Sequence, residues 1–163
     1  MDRCSKKLVK LLEEDCTYSA AQLAAMCNTT EDDIAQRIEA LKADGVILGY
    51  KALINWEKTA TEFVEAIIEV KITPQLGDGF DRIAERIYQY DEVESCYLMS
   101  GGYDVSVVIT GRTLREVALF VSQKLSTIEG VTSTATHFIL KKYKQQNKVF
   151  EPRQTQRERL IFS

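Results

Sequence analysis

Residues 28–45 run NTTEDDIAQRIEALKADG, and how the neighbouring segments are understood depends on this stretch. Ile34, Ile38 and Leu41 recur at spacings of four and three, the stripe of a helix with one buried face. Thr30 stands where an N-cap belongs, and Gly45 where a helix ends in the C′ position. Between cap and stripe come three carboxylates, Glu31, Asp32 and Asp33. Acidic side chains there face the positive end of the helix macrodipole, each adding roughly 0.3–1 kcal/mol of helix stability. The same charges would be repelled by any polyanion that approached the helix.

Working back from residue 28, residues 6–14 carry Leu8, Val9, Leu11 and Leu12 on one helical face. Thr17-Tyr18-Ser19 interrupts the pattern. Ser19 with Gln22 forms a capping box for a short helix over residues 20–27, built from small residues that let another helix approach closely. Asn28-Thr29 makes the turn. Three short helices with a tight turn between the second and third match a helix-turn-helix, although an ordinary three-helix bundle has the same periodicity. Residues 46–54 continue as extended chain, a wing or a connecting strand.

Working forward, residues 64–72 alternate. Val64, Ala66, Ile68, Val70 and Ile72 face one way, and Glu65, Glu69 and Lys71 the other. A loop over residues 74–79 precedes a helical stripe of Phe80, Ile83, Ala84, Ile87 and Tyr88. Residues 93–99 form a second strand, Ser100-Gly101-Gly102 a turn, and residues 103–110 a third strand. Leu114, Val117, Ala118, Val121, Leu125 and Ile128 make a second helical stripe closed by Gly130, and residues 131–140 a fourth strand. The order βαββαβ predicts a ferredoxin-like antiparallel sheet with both helices on one side. Ile67, Tyr97 and Val107 are expected on the uncovered face, where an apolar surface calls for a partner such as a second copy.

Net charge is −3, but its distribution is uneven. Lys+Arg against Asp+Glu is 8 to 10 over residues 1–60, 6 to 12 over 61–140, and 7 to 2 over 141–163. No apolar run approaches the roughly 20 residues a bilayer demands, and the first residues lack a secretory segment, so a cytosolic protein with no membrane role is expected. Cys4, Cys16, Cys27 and Cys96 form no C-x-x-C pair and His137 is the lone histidine. No metal is expected, and the thiols are expected to be reduced and mostly buried. No nucleophile–base pair or Gly-rich phosphate loop suggests an enzyme, so no catalytic residue is named.

The chain resembles the Lrp/AsnC (feast/famine) family of regulators. The likeness runs through Leu23-Ala24, Thr30, Ile34, Arg37-Ile38, Leu41 and Gly45-Val46-Ile47, then Gly49-Tyr50. It continues through Gly101-x-Tyr103-Asp104 and Ile128-Glu129-Gly130-Val131-x-x-Thr134-x-Thr136. The resemblance implies an α+β chain: a winged helix-turn-helix (1–48), a connecting strand or linker (49–62), a ferredoxin-like βαββαβ domain for effector binding and oligomerisation (63–142), and a basic tail (143–163). It implies a transcription regulator that binds double-stranded DNA, forms homodimers and often octamers, and holds an amino acid between dimers, with no cofactor otherwise. Asn28-Thr29 replaces the family's usual Gly-Leu, and Asp32, Asp33 and Gln36 stand where neutral or basic groups are usual.

Thr30, Gln36 and Arg37 are expected toward the DNA groove and Lys42 on phosphate, with Arg37 alternatively an ion-pair partner of Asp33. Ser100, Gly101, Gly102, Tyr103 and Asp104 are expected at the effector. Backbone N–H groups there would hold a carboxylate and Asp104 an ammonium group, although a plain hairpin turn fits the same residues. Thr132, Thr134 and Thr136 are placed on one face of the last strand, as hydroxyl donors or as ordinary strand residues, and His137 on the other as a structural residue. In the tail, Lys141–Ser163, the cations would touch DNA, or Arg159-Leu160-Ile161-Phe162 would add a strand to another subunit, the reading preferred here. The alternative to a DNA-binding regulator is an amino-acid-binding oligomer that acts through protein contacts.

Overall fold

In a computed structural model describing residues 1–73 and 79–150, α1 spans Arg3–Glu14, α2 Ala20–Cys27 and α3 Glu31–Ala43. α1 begins at Arg3 because Asp2 caps it, Oδ1 accepting from Ser5 N at 2.8 Å. The apolar stripe shows only where a helix must be buried, so it hid this polar first turn. Ser19 and Gln22 form the expected capping box, and Thr30 Oγ1 accepts from Asp33 N at 3.2 Å. Asn28 closes α2 in the left-handed region (φ 55°), which Asn reaches at little cost. Thr29 N then donates to Ala24 O at 3.0 Å, setting the tight turn into α3. Leu8, Leu23, Ala24, Ile34 and Leu41 form the core of this unit, Met1–Ile54.

The segment after α3 runs on without regular structure. Val46 N and Ile47 N both donate to Leu41 O, and no strand follows before Trp56–Lys58 forms a 3₁₀ turn. The described residues of this unit contain no strand. Leu48 is left 93% exposed.

The second unit starts at Asn55. It contains β1 (Val64–Ile72), α4 (Asp81–Tyr88), β2 (Val93–Leu98), β3 (Val105–Gly111), α5 (Leu114–Phe120) and β4 (Val131–Phe138). The sheet order is β2-β3-β1-β4 with every neighbour antiparallel, the predicted ferredoxin-like arrangement. Ala66, Ile68 and Val70 pack with Val105, Val107 and Ile109 against Ile83, Ile87, Val117, Phe120 and Leu125. Val107 therefore belongs to the core and not to the outer face: it pairs with Ile68, whereas Ile67 pairs with Val108 and His137. Val107, Val108 and Ile109 are consecutive apolar residues, which obscures the alternation from which faces are assigned.

The helical stripes are also only partly as expected. Tyr88, Leu114 and Ala118 are exposed, and Phe120 is buried. A π turn over Val121–Leu125, with Ser126 N donating to Val121 O at 2.8 Å, inserts an additional residue and shifts the apolar face that a uniform 3.6-residue period projects. After β4, residues 144–149 form a small hairpin of β5 (Lys144–Gln145) and β6 (Lys148–Val149), turning through left-handed Gln146 and Asn147. The basic tail expected from 143 thus begins as a folded hairpin. The tail from residue 151, including residues 159–162, lies outside the described residues, as do loop residues 74–78.

Candidate DNA and ligand sites

The three carboxylates that open α3 are not equivalent. Asp33 Oδ2 accepts from Thr29 Oγ1 at 2.8 Å and from Arg37 Nε at 2.6 Å. Arg37 Nη1 donates to Asp2 Oδ2 at 2.7 Å and to Ser5 Oγ at 3.0 Å. The hydrogen bond from Arg37 holds the Asp33 carboxyl below its ordinary value, and these two acids raise the guanidinium in return. One of the three negative charges is thereby matched inside the fold, while Glu31 and Asp32 stay exposed.

The expected DNA contacts divide accordingly. Thr30 spends its hydroxyl as acceptor in the cap. Arg37 bridges α3 to the start of α1 and is only 26% exposed, so the ion-pair alternative is the one the structure adopts. Lys42 pairs with Glu39 at 2.8 Å on the surface, a contact solvent weakens and an approaching phosphate can replace. Gln36 is exposed. Arg3, Lys6 and Lys10, none of them among the expected contacts, follow one another at helical spacing on exposed positions of α1. Their three-and-four spacing was the available signal.

At one end of the sheet, three segments are laced together. Asp104 N donates to Val70 O at 3.0 Å, and Asp104 Oδ2 accepts from Ile72 N at 2.7 Å. Met99 N closes the β2–β3 turn onto Asp104 O at 2.8 Å. Asp104 is thus a structural acceptor for β1, where a register shift at Lys71/Ile72 disturbs the ladder. One of its two carboxylate oxygens is thereby used within the sheet. Ser100, Gly101 and Gly102 are exposed and Tyr103 is half-buried; a Cβ at either glycine would meet nothing within 4 Å. Open space therefore borders the backbone of this turn.

The same register shift separates the threonines. Thr134 and Thr136 pair with Val70 and Ile68 and are half-buried, but Val131 takes the core position opposite Ile72. Thr132 falls out of step and donates from Oγ1 to Lys71 O at 3.1 Å. The structure brings Thr132 and Asp104 to the same end of β1, and Thr136 lies farther along the sheet. His137 stands on the outer face, its Nε2 3.4 Å from Glu69 Oε1, consistent with a structural role. Beside α5 lies an open recess of about 230 Å³, where Lys124 pairs with Glu92 and sits 5.2 Å above the Tyr90 ring. This pairing holds the Glu92 carboxyl below its ordinary value. All four thiols are free; they are less buried than expected, Cys16 being exposed and the other three half-buried.

A helix-turn-helix unit followed by a ferredoxin-like sheet whose turn borders open space defines a regulator with a DNA-binding part and a ligand-binding part. Residues 1–42 match the AsnC-type helix-turn-helix domain, and residues 65–149 match the Lrp/AsnC ligand binding domain. The chain belongs to the Lrp/AsnC family and is a helix-turn-helix transcriptional regulator with a ligand-binding domain. It is 49% identical over 146 residues to the uncharacterized HTH-type transcriptional regulator YugG of Bacillus subtilis, covering 89% of this chain and 88% of that one. Its fold is similar to that of the transcriptional regulator NMB0573 of Neisseria meningitidis in an L-Met complex (TM-score 0.69, 23% identity, 89% and 93% of the two chains). E. coli AsnC is a further structural neighbour (TM-score 0.67, 18% identity, 93% and 99%). No helix among the described residues is long and apolar enough to cross a membrane.

Proposed function

We propose that this regulator senses an amino acid and binds operator DNA as a homodimer or larger assembly, its single DNA-binding unit being too weakly cationic to act alone. The observation that carries the reading is the fate of the cations on α3: Arg37 is committed to Asp33, Asp2 and Ser5, which leaves Lys42, in a replaceable surface pair with Glu39, for phosphate. Few charges on this helix remain for phosphate, and phosphate contacts supply most non-specific affinity. Several weak units held together recover affinity through effective concentration without new contacts. Gln36, exposed on α3, is assigned to the groove. Arg3, Lys6 and Lys10 are assigned to phosphate alongside Lys42.

The sheet's outer face is the proposed dimer surface. Tyr97 is 54% exposed there, Ile67 36%, and the β2 end continues into Leu98 and Met99, both exposed. Exposed apolar side chains on a sheet flank are commonly covered by a partner. For the effector, the backbone of residues 100–103 is assigned to the carboxylate, Thr132 and Thr134 contribute hydroxyls, and Asp104 holds the turn that presents them. The L-Met complex of the Neisseria meningitidis protein supports an amino acid as the ligand class.

The test is fluorescence polarisation on the DNA upstream of the protein's own gene, titrated with salt and with a panel of amino acids. The reading expects binding that falls steeply with salt and shifts with one or a few amino acids. Calorimetric binding of an amino acid with no DNA affinity at about 50 mM salt would instead support a sensor acting through protein contacts.

A further inference from the structure

The exposed side of α3 narrows which bases this helix can read. In a helix-turn-helix the N-terminal residues of the second helix of the motif contact base edges in the major groove, and residues 1–42 match that domain. Asp32, Ala35 and Gln36 are all exposed there, and their spacing of three and four residues places them on one patch. Asp33 is not available to that patch, because Thr29 and Arg37 hold its carboxylate. Arg37, the arginine of α3, is held in turn by Asp2 and Ser5. Asp32 differs from its neighbour: its carboxylate makes no hydrogen bond or ion pair with another described residue. Each base meets such a group differently. Guanine presents the acceptors N7 and O6, and thymine the acceptor O4 with a methyl group. Cytosine presents the N4 amino donor, and adenine the N6 amino donor beside the acceptor N7. An ionised carboxylate can only accept, so it is matched by an amino group and opposed by a carbonyl oxygen.

We propose that Asp32 is a specificity-determining residue of the DNA-binding helix: it accepts from the exocyclic amino group of cytosine, and less favourably of adenine, and excludes guanine and thymine from the position it faces. Adenine ranks second because its N7 acceptor lies beside the amino group and opposes the carboxylate. Gln36, four residues on, matches adenine at a neighbouring position through N6 and N7. The guanidinium that would favour guanine is held inside the fold at Arg37. Exclusion by a like-charged or acceptor-facing group raises discrimination while it lowers affinity for DNA in general. The weak binding expected of a single unit is then the counterpart of its selectivity. The inference rests on the operator binding proposed above, and adds to it the class of base that the operator must carry.

The experiment selects duplexes from a randomised pool with the full-length chain, with Asp32→Asn and with Glu31→Gln, and then measures the selected duplexes and their single-base variants by polarisation. Glu31 is the control, an exposed carboxylate of the same turn that points about 100° away around the helix. The expected result is a position in each half-site where the wild-type chain binds cytosine at least roughly tenfold tighter than guanine. In Asp32→Asn that ratio should fall below roughly threefold, and Glu31→Gln should keep it. An Asp32→Asn chain that keeps the wild-type ratio at every position overturns the inference and leaves operator binding standing. A ratio lost equally in both variants also overturns it, since charge alone would then be the cause. A wild-type chain that retains no duplex overturns operator binding and this inference together.

Discussion

Arg37 donates three hydrogen bonds, one to Asp33 on its own helix and two to Asp2 and Ser5 at the start of α1. The near half of that arrangement was legible, since a four-residue separation on a helix pairs charges. The far half was not, because no local rule brings residue 2 to residue 37. Replacing Arg37 by Gln should lower the melting midpoint of the N-terminal unit and weaken DNA binding together, whereas loss of a groove contact would lower only the second. The clamp also predicts a pH dependence. Asp2 and Asp33 are both held below their ordinary value of 3.8, Asp2 first by the Ser5 N–H and then by Arg37, Asp33 first by Arg37. A depressed folded pKa gives stability that is present above the unfolded value and lost as the pH falls toward the folded one. The wild-type melting midpoint should therefore drop below pH 3.8, and Arg37→Gln should drop less steeply over the same range. Salt should diminish the difference, since the groups are near the surface.

The elements of the second unit were legible in order and type, because alternation and helical stripes are strong signals when one face is buried. The faces themselves were harder to assign. Val107, first of three consecutive apolar residues, faces the core and not the outer side, and the π turn after Phe120 displaced a helical stripe that no sequence period reveals. The register shift between Lys71 and Ile72 broke the alignment of Thr132 with Thr134 and Thr136. Gly130 was legible as a helix stop, but the structure adds a second requirement. It sits at φ 95°, and a Cβ there would meet Ile83 Cδ1 at 2.6 Å. Gly130→Ala should destabilise the sheet unit by roughly 1–3 kcal/mol, measured by urea unfolding. Asp104→Ala should cost a similar amount, about 1–3 kcal/mol, by leaving Ile72 N without its acceptor. If Asp104 instead served the effector, Asp104→Ala would abolish ligand response with unfolding unchanged.

At the scale of the whole molecule, the sequence showed that a sheet face is left uncovered by its own chain, since two helices can cover only one side. What covers it lay beyond local pattern, as did the exposed apolar residues after α3, Leu48 and Tyr50 among them. Assembly is the proposed source of DNA affinity, and Ile67 and Tyr97 lie away from the helix-turn-helix residues in sequence. That separation allows assembly to be removed without touching the DNA-binding unit. The most direct test compares the wild-type chain with Ile67→Asp/Tyr97→Asp by sedimentation and by polarisation on the same operator DNA. The account predicts a wild-type dimer or larger species, a monomeric double variant with its helical unit still folded, and operator affinity weaker by at least roughly tenfold. A wild-type monomer that binds as tightly as any assembly, or a monomeric variant with undiminished affinity, would contradict it.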